Sequence, residues 1–364
     1  MLAALSATLI ALSFATGRAA QVGLDLALTY SAEGPLHLVS SIINTGDVEI
    51  KLLLDPHTVL VSSNVNKFSI STPDGKSPGS IGVRMDYDPE AVLAENRADS
   101  FVTMRPATFI DIKHDVSKIY NFTETGTGKY TIVAPNVFSY VDAAGTVATI
   151  EANNKFATAH IELKPEDLPT ATPPRSPAGT CHAQTRLTKR LNYLCCSPEQ
   201  QVIIQRAALA AQASVESAHN YLLDLIANPR ATPRWTTWFG AQTQDRLARV
   251  AGLIARMKNN NFGEYVFDCS CDQQDAHAYV WTNEPYLIMY LCPRFFDAPL
   301  HGRRSQVGTL VYEASHFNFI GPTRTIVTGS ALAMDLARHG PHNAVFNADN
   351  YAYFVDNAYP EELP

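Results

Sequence analysis

An α+β chain of two domains, an antiparallel β-sandwich followed by a mainly α-helical domain with a small sheet, is predicted by three features of this 364-residue sequence. Apolar and polar residues alternate from Gly23 to about Leu163, a proline-rich stretch follows, and beyond it the apolar spacing lengthens to that of a helix. Hydrophobic residues make up 46% and charged residues 17%, enough apolar side chains to fill a core in each half.

The first 20 residues carry an apolar run from Leu2 to Phe14 and a small-residue site at Gly17-Arg-Ala-Ala20. The run is too short to span a bilayer and reads as a signal peptide, residues 1–20, which predicts a secreted, extracellular protein. In residues 21–163, Leu24, Leu26, Leu28 and Tyr30 alternate with Asp25, Ala27 and Thr29 as a half-buried strand. Turn sequences at Asn44-Thr-Gly-Asp47, Pro73-Asp-Gly75 and Gly126-Thr-Gly128 separate further β-rich runs, including Thr108–Lys113 and Lys129–Val133. His37, His57 and His114 are scattered among them and are expected at the surface. Asn121-Phe-Thr123 is a glycosylation acceptor sequence.

Residues 164–190 form a linker, with five prolines between Lys164 and Gly179 and a dibasic pair at Lys189-Arg190 where a processing protease would cut. In residues 191–364, Ser197-Pro-Glu-Gln200 is a capping box that opens a long helix ending near Asn228-Pro229. Pro233-Arg-Trp-Thr-Thr-Trp-Phe-Gly240 reads as an aromatic loop whose rings belong to the core. Leu247, Val250, Leu253, Ile254 and Met257 mark a second amphipathic helix. Tyr265–Cys271, His277–Trp281 and Tyr286–Cys292 read as short strands. Helices are expected at Gly308–Phe319, Ser330–His339 and Ala348–Asn357.

The net charge of -7 and the lack of a basic block argue against a nucleic-acid partner. After the signal no segment approaches 18 uninterrupted apolar residues, which argues against a membrane partner. The six cysteines fall between Cys181 and Cys292 and, in an exported chain, point to disulfides.

One helix carries the question of function. On Thr309-Leu-Val-Tyr-Glu-Ala-Ser-His-Phe317, positions 312 and 316 share a face with Glu313 beside them, the layout of an H-E-x-x-H zinc site, but position 312 is tyrosine. The order of motifs from Cys196 onward resembles the deuterolysin and peptidyl-Lys metalloendopeptidase (aspzincin) family. The resemblance rests on Cys196-Ser-Pro-Glu-Gln-Gln201, Ala231-Thr-Pro-Arg-Trp-Thr-Thr-Trp-Phe-Gly240, Phe267-Asp-Cys-Ser-Cys271, Tyr290-Leu-Cys292, Gly308–Phe317 and Asn347-Ala-Asp-Asn350. The β domain is similar to that family's propeptide at Asn44-Thr-Gly46, Leu53-Leu-Asp-Pro56, Tyr120-Asn-Phe122 and Phe138-Ser-Tyr-Val-Asp142. The resemblance therefore implies a β-sandwich pro-domain and a zincin-like C-terminal domain.

Carried over residue by residue, the resemblance implies Glu313 as the general base and His316 as a zinc ligand. It puts Tyr312 and Thr325 at the other two ligand positions, Thr328 at the oxyanion position, and Asp349 and Ala352 where two acids would receive a substrate lysine. It also pairs Cys196 with Cys269 and Cys271 with Cys292, leaving Cys181 and Cys195 as a possible third bridge. A phenol and a neutral hydroxyl are poor substitutes for imidazole and carboxylate, and without a metal-bound water Glu313 has nothing to activate. The expectation is thus a pseudoprotease with no zinc cofactor, acting by binding a peptide or protein ligand. The alternatives are an active secreted zinc metalloendopeptidase with substitute ligands, and a structural or immunogenic protein whose cleft does nothing.

Overall fold

The computed structural model describes residues 21–168, 192–281, 287–321 and 323–357. The signal peptide at 1–20, most of the linker with Lys189-Arg190, and Cys181 lie outside the described residues.

The N-terminal region is built on three sheets around one core. Leu24–Ser31 pairs antiparallel with Gly34–Asn44, which pairs with Phe109–Asp115, while Asn153–Phe156 joins the other edge in parallel. A second sheet orders Thr158–Leu163, Gly128–Val133 and Ser69–Ser71, and a third orders Val147–Glu151, Val137–Val141, Ile50–Leu53 and Phe101–Met104. Leu24, Leu26 and Leu28 point into the core as the alternation predicts. Tyr30 does not: it is 65% exposed, at the end of the strand next to the register shift where the chain turns into its hairpin.

Two of the three histidines also depart from expectation. His114 is buried against the Ser40 hydroxyl at 2.9 Å, and burial lowers its pKa to about 4. His57 is held between the Asp55 carboxylate at 2.9 Å and the Met85 carbonyl at 2.8 Å. His37 stays near the surface, 3.7 Å from Glu33.

In the C-terminal region the long helix is Pro198–Ala227, closed at its start by reciprocal Ser197 and Gln200 hydrogen bonds. Its buried stripe includes Ile204, Ala207, Ala211, Val215, Ala218 and Leu222, and the alanines among them let the helices Gln244–Asn259 and Gln306–His316 approach closely. The segment read as an aromatic loop is a short helix, Pro233–Phe239, with Pro233 in its first turn and Gly240 ending it at φ +67. Only glycine fits there: a Cβ at 240 would lie 2.2 Å from the Ala337 carbonyl oxygen. Trp235, Trp238 and Phe239 are core residues, as expected.

The helix expected at Gly308–Phe319 starts and stops two to three residues earlier, at Gln306–His316, because Ser305 caps it by accepting from the Gly308 N–H at 2.8 Å. Ser330–His339 and Ala348–Asp356 are helical. Cys196–Cys269 and Cys271–Cys292 are disulfides; Cys195 is also disulfide-bonded, and the Cys181 half of the third expected bridge lies outside the described residues.

One strand crosses between the two regions. Asn192–Leu194, Val266–Asp268, Ile288–Leu291 and Ala276–Trp281 form a sheet whose last edge is covered by Val83–Tyr87 of the β region. Val83, Arg84, Met85 and Tyr87 pair antiparallel with Trp281, Val280, Tyr279 and Ala276. This segment alternates Val83, Met85 and Tyr87 inward, and the chain then turns at Asp88 into a short helix, Pro89–Glu95. It thus joins the C-terminal sheet, positioned over the Gln306–His316 helix.

Candidate functional site

The Gln306–His316 helix is buried on nearly every side, the pattern of a central core helix rather than a surface one. Its position fixes Tyr312 and His316 one turn apart, their rings in an edge contact with centroids 4.7 Å apart. The segment from Thr323 to Gly329 lies against them. Asn347 holds it there, its side-chain oxygen accepting from the N–H groups of Ile326 at 2.8 Å and Val327 at 3.2 Å. Asn347 is in turn tied to Asn350, which donates to the carbonyls of Trp238 at 2.6 Å and Ala333 at 2.9 Å. The two asparagines of the Asn347–Asn350 motif are therefore a scaffold that brings Thr325 to Tyr312.

The Tyr312 hydroxyl meets the Thr325 hydroxyl at 2.6 Å and donates to the Met85 carbonyl at 3.3 Å. The two side chains at the substituted ligand positions hydrogen-bond to each other. His316 shares its Nδ1 with the Thr323 hydroxyl at 3.0 Å, and its Nε2 has no partner. Both Glu313 carboxyl oxygens are also buried without a hydrogen-bond partner.

Burial favours the neutral form of all three titratable groups on this helix. Burial, then the charge of Asp349, raises the Tyr312 phenol well above its ordinary value. Burial, then the charge of Asp86, raises Glu313 well above the ordinary carboxyl range. Burial, then Arg84, lowers His316 well below the ordinary imidazole value.

Asp349 is not the exposed first-turn residue that its sequence position suggests. It is buried, accepts from the Gly329 N–H at 2.7 Å, and has its pKa raised to about 7 by burial and then by Asp86. Its pocket, bounded by Asp86, Arg304, Tyr312 and Ala352, has a volume of about 20 Å³, room for about one water. Thr328 lies away from it, on the wall of an interdomain cleft of about 640 Å³.

The sequence reasoning missed the residues that close the site from the other region. Met85 faces Tyr312, and Asp86 accepts from the Thr309 hydroxyl at 3.1 Å. Arg304 forms an ion pair with Asp88. The alternation at Val83–Tyr87 marks a strand, but nothing local says which sheet it joins.

The family model described as lysine-specific metallo-endopeptidase (aspzincin) matches residues 225–356. A "Peptidyl-Lys metalloendopeptidase" of Grifola frondosa is 35% identical over 357 residues, covering 97% of this chain and 98% of that one. The chain belongs to the peptidyl-Lys metalloendopeptidase family. A second protein of that name, from Armillaria mellea, is 34% identical over 88% of this chain and 87% of its own length. An "Extracellular protease" of Aeromonas hydrophila is 26% identical over 92% of each chain.

The peptidyl-Lys metalloendopeptidases are zinc metalloproteases, so the residues present must be tested against that ion. A catalytic zinc takes three side-chain ligands at roughly 2.0–2.3 Å. Among the described residues no group of three His, Cys, Asp or Glu side chains is placed to hold a metal. His316 offers a free nitrogen, but Tyr312 is a buried phenol and its hydroxyl is already bonded to Thr325. This donor set does not fit zinc.

Proposed function

We propose that this chain is a secreted, catalytically silent peptidyl-Lys metalloendopeptidase relative, without zinc, whose C-terminal region acts by binding extended peptide. The single observation that supports it most is the 2.6 Å bond between the Tyr312 and Thr325 hydroxyls, which ties together the two positions where metal ligands are expected. Catalysis by substitute ligands would need the Tyr312 phenolate, and burial holds that phenol protonated. Burial also raises the Glu313 carboxyl well above its ordinary range, which works against a general-base role.

The binding half of the reading is supported by the open-edge chemistry of Ala276–Trp281, whose ladder is completed here by a strand from the chain's own N-terminal region. In this reading residues 21–163 are a pro-domain, 164–190 the linker cut at Lys189-Arg190, and 191–364 the mature domain. Asp349 remains as a vestige of the lysine-receiving pair, with Ala352 opposite it.

Elemental analysis of the purified protein tests the reading. The native chain is expected to hold no stoichiometric zinc, and Tyr312→His combined with Thr325→Asp is expected to acquire it. Stoichiometric zinc in the native protein, or peptidase activity abolished by a chelator, would overturn it.

A further inference from the structure

The cleft that Val83–Tyr87 covers is basic along one side. Arg304 pairs with Asp88 and lies 3.9 Å from Glu90, Arg303 is 3.7 Å from Glu90, and Arg294 is 2.8 Å from Glu95. Asp86 accepts from Thr309 within the same run. His277, on the strand that Val83–Tyr87 pairs with, is buried with neither ring nitrogen partnered. Of these acids, Asp86 and Asp88 lie in the extended part of the covering segment and Asp88 is answered by Arg304, while Glu90 and Glu95 lie on the following helix and Arg294 also pairs with Asp275 at 3.3 Å.

We propose that the peptide this cleft recognises is an extended acidic segment, added as a strand to Ala276–Trp281 and selected by Arg304, which holds Asp88 at the extended end of the covering strand. The proposal rests on the peptide-binding reading above and adds a charge preference opposite to the lysine named for the relatives. Main-chain pairing supplies affinity that is blind to side chains, so the ion pair supplies the choice. The lysine alternative is disfavoured by the same geometry. A lysine at the Asp86 position would enter a space of about 20 Å³ beside the Arg304 guanidinium, a like charge.

The test uses the full chain with Met85→Pro, whose fixed φ and ring disrupt the covering strand opposite Tyr279 and uncover the cleft. Loss of hydrogen-exchange protection at Ala276–Trp281 verifies the opening. Fluorescence anisotropy then compares a labelled peptide with the sequence of residues 83–90 against a version neutral at its three acidic positions and one with lysine there. The acidic peptide is expected to bind about tenfold more tightly than the neutral one, the worth of one charge-assisted contact, and more tightly than the lysine peptide. Arg304→Gln is expected to erase that difference. Equal binding of all three peptides overturns the acid preference but leaves peptide binding standing; no binding of any overturns both.

A second measurement needs no opened variant. In the otherwise unaltered chain, Arg304→Gln is expected to speed exchange of the Ala276–Trp281 amides by about tenfold, and Arg304→Lys by much less. Unchanged exchange in Arg304→Gln overturns the role given to Arg304.

Discussion

Tyr312 and Thr325 form a pair whose coupling can be measured directly. Tyr312→Phe leaves the Thr325 hydroxyl able to turn toward water, since Thr325 is only partly buried, so the expected cost is about 1 kcal/mol. Thr325→Val leaves the Tyr312 hydroxyl, 1% exposed, with only the Met85 carbonyl at 3.3 Å, and should cost roughly 1–2 kcal/mol. With both hydroxyls removed no donor is stranded, and the double variant should cost less than the sum by about 1 kcal/mol. The three tryptophans, Trp235, Trp238 and Trp281, all lie in the C-terminal region, so urea unfolding followed by tryptophan fluorescence reports this region separately. Additivity within about 0.3–0.5 kcal/mol would mean that the two hydroxyls do not depend on each other, and the argument that they close the ligand positions would fall.

Gly240→Ala should destabilise the C-terminal region by roughly 1–3 kcal/mol in the same fluorescence assay, because φ +67 with a Cβ 2.2 Å from the Ala337 oxygen forces the backbone to move; a cost under about 0.5 kcal/mol would refute that account. For His114 the folded pKa, about 4, lies below the ordinary 6.5, so its contribution is complete above pH 6.5 and is lost as pH falls toward 4. The protection of the Gly34–Asn44 and Phe109–Asp115 amides, paired around it, should fall through that window once exchange is corrected for its intrinsic pH dependence, and fall less in His114→Gln.

What the sequence made legible was whatever local chemistry determines. The capping box at Ser197–Gln200 and the helix Ser330–His339 stand where their signals put them, because a cap or a terminal glycine acts within one turn. The Pro233–Gly240 segment reads as loop for lack of length, yet Trp235 and Trp238 pack into the core and the burial stabilises a helix too short to stand alone. Tyr312, Glu313 and His316 could be placed on one helix face from spacing, but their neutral state could not. That state depends on Val83–Tyr87, more than 220 positions earlier, lying over them. The burial of Asp349 has the same origin: a first-turn helix position leaves its exposure open, and the covering strand sets Asp86 beside it.

The covering strand and the Tyr312–Thr325 bond act on different parts of the chemistry, which separates two questions about recovering function. Removing the strand would readmit water to Glu313 and lower its pKa, since burial is the first cause of its rise and Asp86 the second. It would not create a metal site, because Tyr312 and Thr325 would still offer a phenol and a neutral hydroxyl beside one imidazole. Tyr312→His with Thr325→Asp changes the donors instead, supplying a second imidazole and an anionic oxygen that can offset the charge of a buried dication. Removal of the strand alone therefore favours the charged form of Glu313 without supplying a metal-bound water, whereas the two substitutions supply ligands beneath a strand that still covers the site. Proteolysis would therefore require both changes, the donors and the uncovering.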